Sequence, residues 1–427
     1  MPSPMNRKRP AALIACCSKP PLRTVTDAAA AAATTSDSSS WASLHEDLVC
    51  LIGWLVLAGD LLDYVRFRAV CPYWRSSTPC PRGRGVVDPR FYPRRWMMLP
   101  EGHGLHPGHG KLRGYVRFFN LSSGAFARLR LPLFRDHCVL DSVDGILLLQ
   151  RDHDTAIRLL HPFTGDIAEL PPLATLLKYV NPMLPGADEE RGKWMFLRRV
   201  LAASISVSPD GVITVMMLLD CMPLVAFATS GDKRWKVSSW WFYTGYSQIS
   251  FQGRIYIICQ PSSEGEVQIL QIDPPHQEDP STLPLSKLIA TFPACSSLYY
   301  HLVECNSEIL FITKRLGHHS HFSVYRLADL ILERTVPVTC IGAKTLFIGH
   351  RTVCVNSKAF PTVVGDAIVF LKKGGTGLYL AQYHLGSGTL LPASDGFVLG
   401  NAMPSPISVI YHIFTCCFRR QWLVFWF

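Results

Sequence analysis

Chemistry needs reactive groups at fixed spacing, and the histidines of this chain are the first place to look. "HEDLV" (45–49) opens as the zinc-protease helix H-E-x-x-H does, but its fifth position is Val49, so the second metal ligand is missing. "GHGLHPGH" sets His103, His106 and His109 three residues apart, yet Gly and Pro flanks fix no geometry for a metal. "HHSH" (318–321) reads as a polar loop between strands. The fourteen cysteines are irregularly spaced, with adjacent pairs at Cys16-Cys17 and Cys416-Cys417 and no C-x-x-C. That pattern argues against zinc ribbons, zinc fingers and thioredoxin-like motifs. The thiols read as reduced fillers of core positions in a nuclear or cytoplasmic protein. No metal and no cofactor is expected.

Other catalytic patterns fail as well. No G-x-S-x-G occurs, and no G-x-G-x-x-G follows a strand. Gly110-Lys111 and Gly192-Lys193 end like P-loops, but Leu105 and Ala187 stand where the earlier glycine belongs. Asp152 and Asp154 are carboxylates without a visible opposing partner, and Asn120-Leu121-Ser122 is a glycosylation sequon, meaningful only in a secreted chain. For a chain of 427 residues this emptiness predicts binding, with no catalytic residues.

The elements that would hold such a binder can be read next. The composition is globular, 48% hydrophobic and 17% charged, so a large core is available. Formal net charge is +10, and residues 1–113 hold most of it, with fifteen Lys/Arg against eight Asp/Glu. No aromatic-stacking or recognition-helix pattern accompanies these arginines, so the excess reads as solvated linker and not as a nucleic-acid surface. The longest apolar run, "LVCLIGWLVLAG" (48–59), is too short to span a bilayer. Residues 1–40 are rich in Ala, Ser and Pro and read as a disordered tail.

Residues 41–77 predict three short helices. Ser43 and Glu46 suit a capping box, and Leu44, Leu48, Leu51, Ile52 and Leu55 recur at helical spacing. Gly59-Asp60 breaks the first helix and Asp60 caps a second, with Leu61, Leu62, Val65 and Val70 apolar and Arg66 and Arg68 elsewhere. Pro72 then opens a third helix that carries Trp74. Residues 78–109 read as a linker.

From 110 to 400 a unit recurs: a turn, four or five apolar residues, a second turn, another strand. "VDGILLLQ" (143), "PDGVITVMML" (209), "FQGRIYIICQ" (251), "CNSEILFITK" (305) and "VGDAIVFLKK" (364) mark it. Strand-built repeats of this length are what propeller blades produce. The predicted fold is therefore mainly β, a C-terminal β-propeller preceded by a small three-helix module, with an apolar segment at 401–427.

"WASLHEDLVCLIGWLV" followed by "DLLDYVRFRAVCPYWRS" resembles an F-box. Leu44, Leu48, Ile52, Asp60, Val70, Cys71, Trp74 and Arg75 fall on that family's positions, with His45 where it has proline. The remainder resembles the plant F-box family whose C-terminal part is a KIB-type β-propeller. "LDSVDGILLLQ", "RLLHPFTGDIAELPPL", "VAFATSGDKRWKV", "LVECNSEILFI", "FSVYRL" and "KTLFIGHRTVCVNSKAFP" carry this in the family's order. "GDAIVF" (365–370) departs from its usual Gly-Asn-x-Ile-Tyr-Phe. The resemblance implies a substrate receptor of a Skp–cullin–F-box ubiquitin ligase, without catalytic residues. Leu44, Leu48, Ile52, Val70, Cys71, Trp74 and Arg75 would meet the Skp-type adaptor, and through it the cullin, while the propeller holds an unknown target protein. The alternatives are a propeller scaffold with a degenerate F-box, and a propeller enzyme.

The same positions have plainer roles. Leu48, Ile52, Val70 and Cys71 would also fill the core of an isolated bundle. Asp144-Gly145, Pro162, Thr164-Gly165 and Gly231-Asp232 are turn formers, and Trp235 and Trp240-Trp241 read as blade-packing aromatics.

Overall fold

The structure, a computed structural model, describes residues 44–100, 115–181, 190–242, 247–259, 265–295, 298–315, 321–374, 377–393, 398–399 and 409–417. The expected tail at 1–40, Ser43, the three histidines at 103–109 and most of "HHSH" lie outside them. The chain divides into a small unit ending at Arg82 and a large one beginning at Gly83.

The small unit holds α1 (Glu46–Gly59), α2 (Leu61–Arg68) and α3 (Pro72–Ser76). Each start has a local cause. His45 caps α1, its Nδ1 accepting from the Asp47 N–H at 3.4 Å. The Asp60 carboxylate caps α2, accepting from the Leu62 and Asp63 N–H groups at 2.8 and 3.3 Å. Pro72 sits in the first turn of α3, where a missing N–H costs nothing.

The large unit is a six-bladed β-propeller, mainly β as predicted. Blade one is β1 (Trp96–Met98), β2 (Tyr115–Asn120) and β3 (Phe126–Arg130). Blade two is β4 (His137–Val143), β5 (Ile146–Arg151), β6 (Ile157–Leu160) and β7 (Ile167–Leu170). A helix, α4 (Glu190–Leu197), precedes blade three: β8 (Val200–Val207), β9 (Ile213–Leu219), β10 (Val225–Thr229) and β11 (Lys236–Val237). Blade four is β12 (Gln248–Phe251), β13 (Arg254–Cys259), β14 (Glu266–Ile272) and β15 (Lys287–Pro293). Blade five is β16 (Leu298–Cys305), β17 (Glu308–Arg315) and β18 (His321–Arg326), followed by α5 (Leu327–Ile331).

Blade six departs from the simple meander. β19 (Lys344–Phe347) pairs with β20 (Val353–Asn356) on one side and, in parallel, with β21 (Ala367–Gly374) on the other. β22 (Gly377–His384), β23 (Leu390–Pro392) and β24 (Val398–Leu399) complete it, and α6 (Val409–Cys417) lies against this blade. So the second strand in sequence, β20, is the edge strand, and it neighbours β16 of blade five.

Apolar clusters join the blades in a closed ring. One packs blade two on three, another three on four, and further ones four on five, five on six and six on one. Blades one and two meet through Phe163, whose ring lies 5.3 Å from Trp96 and 5.7 Å from Phe118. Burial of this much apolar surface is the main force holding the ring.

In blades two to five the recurring sequence unit is the turn between the first two strands, and in blade six it leads into β21. Asp144-Gly145, Gln252-Gly253 and Asn306-Ser307 all have positive φ at both central positions, as a two-residue hairpin needs. Gly145 has a second reason: a Cβ there would stand 2.3 Å from the Pro93 carbonyl oxygen.

Two expected boundaries need correction. Residues 83–100 belong to the propeller, although 78–109 read as a linker. Phe91 and Tyr92 are buried there, the Tyr92 hydroxyl donates to the Val86 carbonyl (2.8 Å), and Asp166 anchors the segment. Its carboxylate accepts from the Gly83 and Gly85 N–H groups at 2.9 and 2.8 Å. Gly, Pro and Arg around two aromatics concealed a segment clamped by a residue far along the chain. Within 401–427, residues 409–417 form helix α6, whose Ile410, Ile413 and Phe414 are core.

Candidate functional site

The helical unit buries a different side from the one its leucines suggest. Val49, Gly53 and Leu57 of α1 face Leu61, Tyr64 and Phe67 of α2. Gly53 permits the close approach, since a Cβ there would lie 2.9 Å from the Thr78 methyl. The Tyr64 hydroxyl donates to the Pro79 carbonyl (2.8 Å), and Trp74 stacks on Phe67 with ring centroids 4.4 Å apart. Because α1 is apolar almost all round, periodicity alone could not select its buried side.

The displaced side faces outward. Leu48 is 49% exposed, Leu51 55%, Leu55 66% and Val70 62%. Leu44 is half-buried, and its carbonyl accepts from the Tyr73 hydroxyl (3.0 Å), tying the start of α1 to α3. Ile52 is half-buried. Cys71 caps α3, its Sγ accepting from the Trp74 N–H at 3.4 Å, and Trp74 itself is half-buried. Arg75 is exposed, and its carbonyl accepts from Arg68 (3.1 Å). Arg66 is engaged by Asp63 at 2.7 Å. The expectation that Leu48, Ile52, Val70 and Cys71 fill the bundle core is therefore wrong for Leu48 and Val70. Sequence reading had not singled out Tyr73, and it placed Leu51 and Leu55 only as members of a stripe.

On the propeller, charged groups gather on the inner strands. Arg351, between β19 and β20, bonds both carboxylate oxygens of buried Asp141 on β4, with Nη2 to Oδ2 at 2.7 Å. Its Nη2 also reaches the Leu201 carbonyl (3.3 Å), and its own N–H donates to the Cys417 carbonyl (3.0 Å). One residue thus links blades six, two and three with α6. At the β4–β5 turn Asp144 meets Arg94 at 3.6 Å, and burial raises its carboxyl above the usual range. Glu304, near the end of β16 and exposed on one side, is raised in the same direction by local desolvation, with the Asp144 charge adding to it. Desolvation lowers His301 on β16 to about 3, so it is neutral at ordinary pH. Cys305 and Cys354 place their sulfurs 3.4 Å apart across blades five and six. That shared hydrogen bond lowers the Cys305 thiol and raises Cys354, which holds the proton.

Several polar groups that could do chemistry are engaged in local contacts. Asp136 and His137 pair at 2.7 Å, as the orienting half of a triad would, but His137 Nε2 is enclosed with no partner among the described residues. Arg151 holds Asp154 down to about 2, and Asp154 also accepts from the Ala156 N–H (3.1 Å), so it braces a turn. The Asn120 side chain is buried, its oxygen accepting from the Ser122 and Ser123 N–H groups at 2.9 Å each. Trp235 donates from Nε1 to the Pro171 carbonyl (2.7 Å) and Trp240 to Pro284 (3.1 Å), fastening blade three to its neighbours. Trp241 stands exposed. Among the described residues no three His, Cys, Asp or Glu side chains gather as a metal site, and no helix is long and apolar enough to cross a membrane.

Comparison with known proteins places the propeller. The model of the KIB1-4 β-propeller family matches residues 118–384. No curated protein matches the chain. Among solved structures, an endo-arabinase from Bacteroides thetaiotaomicron is 13% identical, covering 44% of this chain and 72% of its own, with a TM-score of 0.19. The N-terminal domain of Nup159 is 8% identical over 65% and 72%, TM-score 0.20. The polysaccharide lyase Uly1 is 9% identical over 58% and 78%, TM-score 0.24.

Proposed function

From the premise that this chain belongs to the KIB1-4 β-propeller family, we propose that it is a non-catalytic substrate receptor of a Skp–cullin–F-box ubiquitin ligase, working in the nucleus or cytoplasm. The helical unit is the F-box and docks the Skp-type adaptor. The propeller holds the protein to be ubiquitinated, and the gain in rate comes from proximity. One observation carries the reading: on a unit of three short helices, Leu48, Leu51, Leu55 and Val70 are left about half exposed or more while a separate set forms the core. Exposed apolar residues gathered on so small a unit fit a helix-groove interface. Arg75 and its neighbours on α2 supply charge at that surface, which affects association rate more than final affinity.

The test is co-purification with a Skp-type adaptor. The full chain should retain it, and a Leu48→Asp, Leu55→Asp variant should lose it with an unchanged propeller melting transition. Trp74→Ala should weaken capture by about 2 kcal/mol, part of which reflects its lost stack on Phe67. Equal capture by wild type and the double variant, or none by either, would leave a propeller scaffold with a degenerate F-box.

A further inference from the structure

Blades two, three and four each have a fourth strand covering the outer edge of the third. Blade five covers its third strand differently, through the Tyr325–Pro337 bridge and the Val338 N–H bond to the Val324 carbonyl at 2.7 Å. Blade one stops at β3, and among the described residues no strand pairs with its outer edge. Half of the backbone N–H and C=O groups of β3 therefore point away from β2.

The side chains beside that edge are basic. Alternate residues share a face, and on one face of blade one Tyr115 stands opposite Arg130 and Arg117 opposite Arg128. Like charges directly opposed across a ladder are destabilising. Arg128 and Arg130 both lean on the Tyr115 ring, with Cζ 4.8 and 5.9 Å from its centroid, so their forks are held near one another. Neither has an ion-pair partner among the described residues. Segments of this chain outside the described residues place no two acids at alternate positions: 418–427 carries Arg419 and Arg420 and no acid, 101–114 carries Glu101 against Lys111 and Arg113, and 182–189 has Asp188 and Glu189 side by side, which in a strand would point to opposite faces.

We propose that the open edge of β3 docks an extended acidic peptide of a partner protein, which adds to blade one as a fourth strand and lays alternate carboxylates on Arg128 and Arg130. An added strand repeats its side-chain direction every second residue, about 6.8 Å apart, matching the two arginines. Guanidinium forks bind carboxylates with two parallel hydrogen bonds, which gives the contact direction as well as charge. The inference concerns the propeller alone and does not require the ligase reading.

The test titrates the full chain with fluorescein-labelled Ser-Glu-Thr-Glu-Val-Glu-Ser and, separately, with its isomer carrying the three glutamates in a row. The alternating peptide should bind saturably and slow hydrogen exchange of the 126–130 amides. It should weaken about tenfold in an Arg128→Thr, Arg130→Thr variant, and again on raising the salt. Threonine keeps strand propensity, and an unchanged melting transition certifies the variant's fold. Equal binding of the isomer, binding without protection of β3, or no binding at millimolar peptide would each overturn the proposal. So would capture of a single-stranded oligonucleotide through the same arginines with the peptide inert, which would make the face a nucleic-acid platform. Adaptor capture is unaffected by any of these outcomes, so this proposal and the ligase reading fail separately.

Discussion

Two buried side chains show how single residues hold this ring. Asp141 and Arg351 are 210 positions apart in sequence and meet with most of their charge withdrawn from water. Removing one member of such a pair leaves the other uncompensated, which typically costs about 3–5 kcal/mol. Asp141→Asn should therefore lower the unfolding free energy by about 3 kcal/mol in urea titration. A loss under about 1 kcal/mol would mean that water already screens the pair. His161 gives the second test. It is fully buried, its Nε2 facing the Phe91 carbonyl at 3.0 Å while its Nδ1 accepts from the Thr164 N–H at 3.0 Å. That arrangement suits the neutral ring, and burial lowers its affinity for a proton. An unfolded imidazole protonates near 6.5. Below that pH the unfolded chain binds more protons than the folded one, so stability present above about 6.5 is lost as pH falls. His301, lowered to about 3, adds in the same direction. The drop in unfolding free energy between pH 7.5 and 5.5 should be smaller in His161→Gln than in wild type. Neither interaction could be read from sequence, because nothing local marks a partner 210 or 70 positions away.

Elements were legible where backbone chemistry restricts residue type. A two-residue hairpin with positive φ selects Asp-Gly, Gln-Gly or Asn-Ser, so three such turns announced blades two, four and five, while blade three was marked by a longer turn at 208–212 in which only Gly211 has positive φ. Blade one stayed hidden because no tight turn joins β1 to β2. Blade six stayed irregular because its edge strand comes second. In the helical unit the cap at Asp60 and the helix start at Pro72 were readable, whereas the buried side of α1 was not, since Leu48 and Val49 are equally apolar. Two glycines separate backbone from space. Gly145 and Gly211 have similar φ, +83° and +79°, but only Gly145 would press a Cβ on its surroundings. Gly211→Ala should cost about 1 kcal/mol for the left-handed conformation alone. Gly145→Ala should cost clearly more by thermal denaturation, and equal losses would refute the steric contribution. Between blades five and six, Cys305 and Cys354 should form an intramolecular disulfide on treatment with diamide, which takes up the two hydrogens and becomes a hydrazine. Peptide mapping should recover the cross-linked pair, and Cys354→Ser should abolish it. Unlinked peptides after full reaction would mean the sulfurs are not neighbours.

At the scale of the molecule, the ring closes without strand exchange among the described residues. Each blade is cut from one continuous stretch, and no sheet mixes strands of blades one and six. What crosses between those two is chiefly apolar: Leu99 and Phe119 against Phe347 and Phe360, with Ile413 and Phe414 of α6 laid over them. Phe414→Ala should cost about 3 kcal/mol or more, as large aromatic deletions from cores do, and the loss should show as greater exchange of β1 and β19 amides before that of β5 or β9. Exchange rising equally in all blades would mean that the ring opens as one body.

That joint also sets how the molecule should respond to cold. Contacts between oily side chains weaken on cooling and under compression, whereas a strand ladder is far less sensitive. A chilled or pressurised sample should part between blades, at joints such as this one, before any blade loses its own ladder, turning a closed circle into an open arc whose individual leaves stay folded.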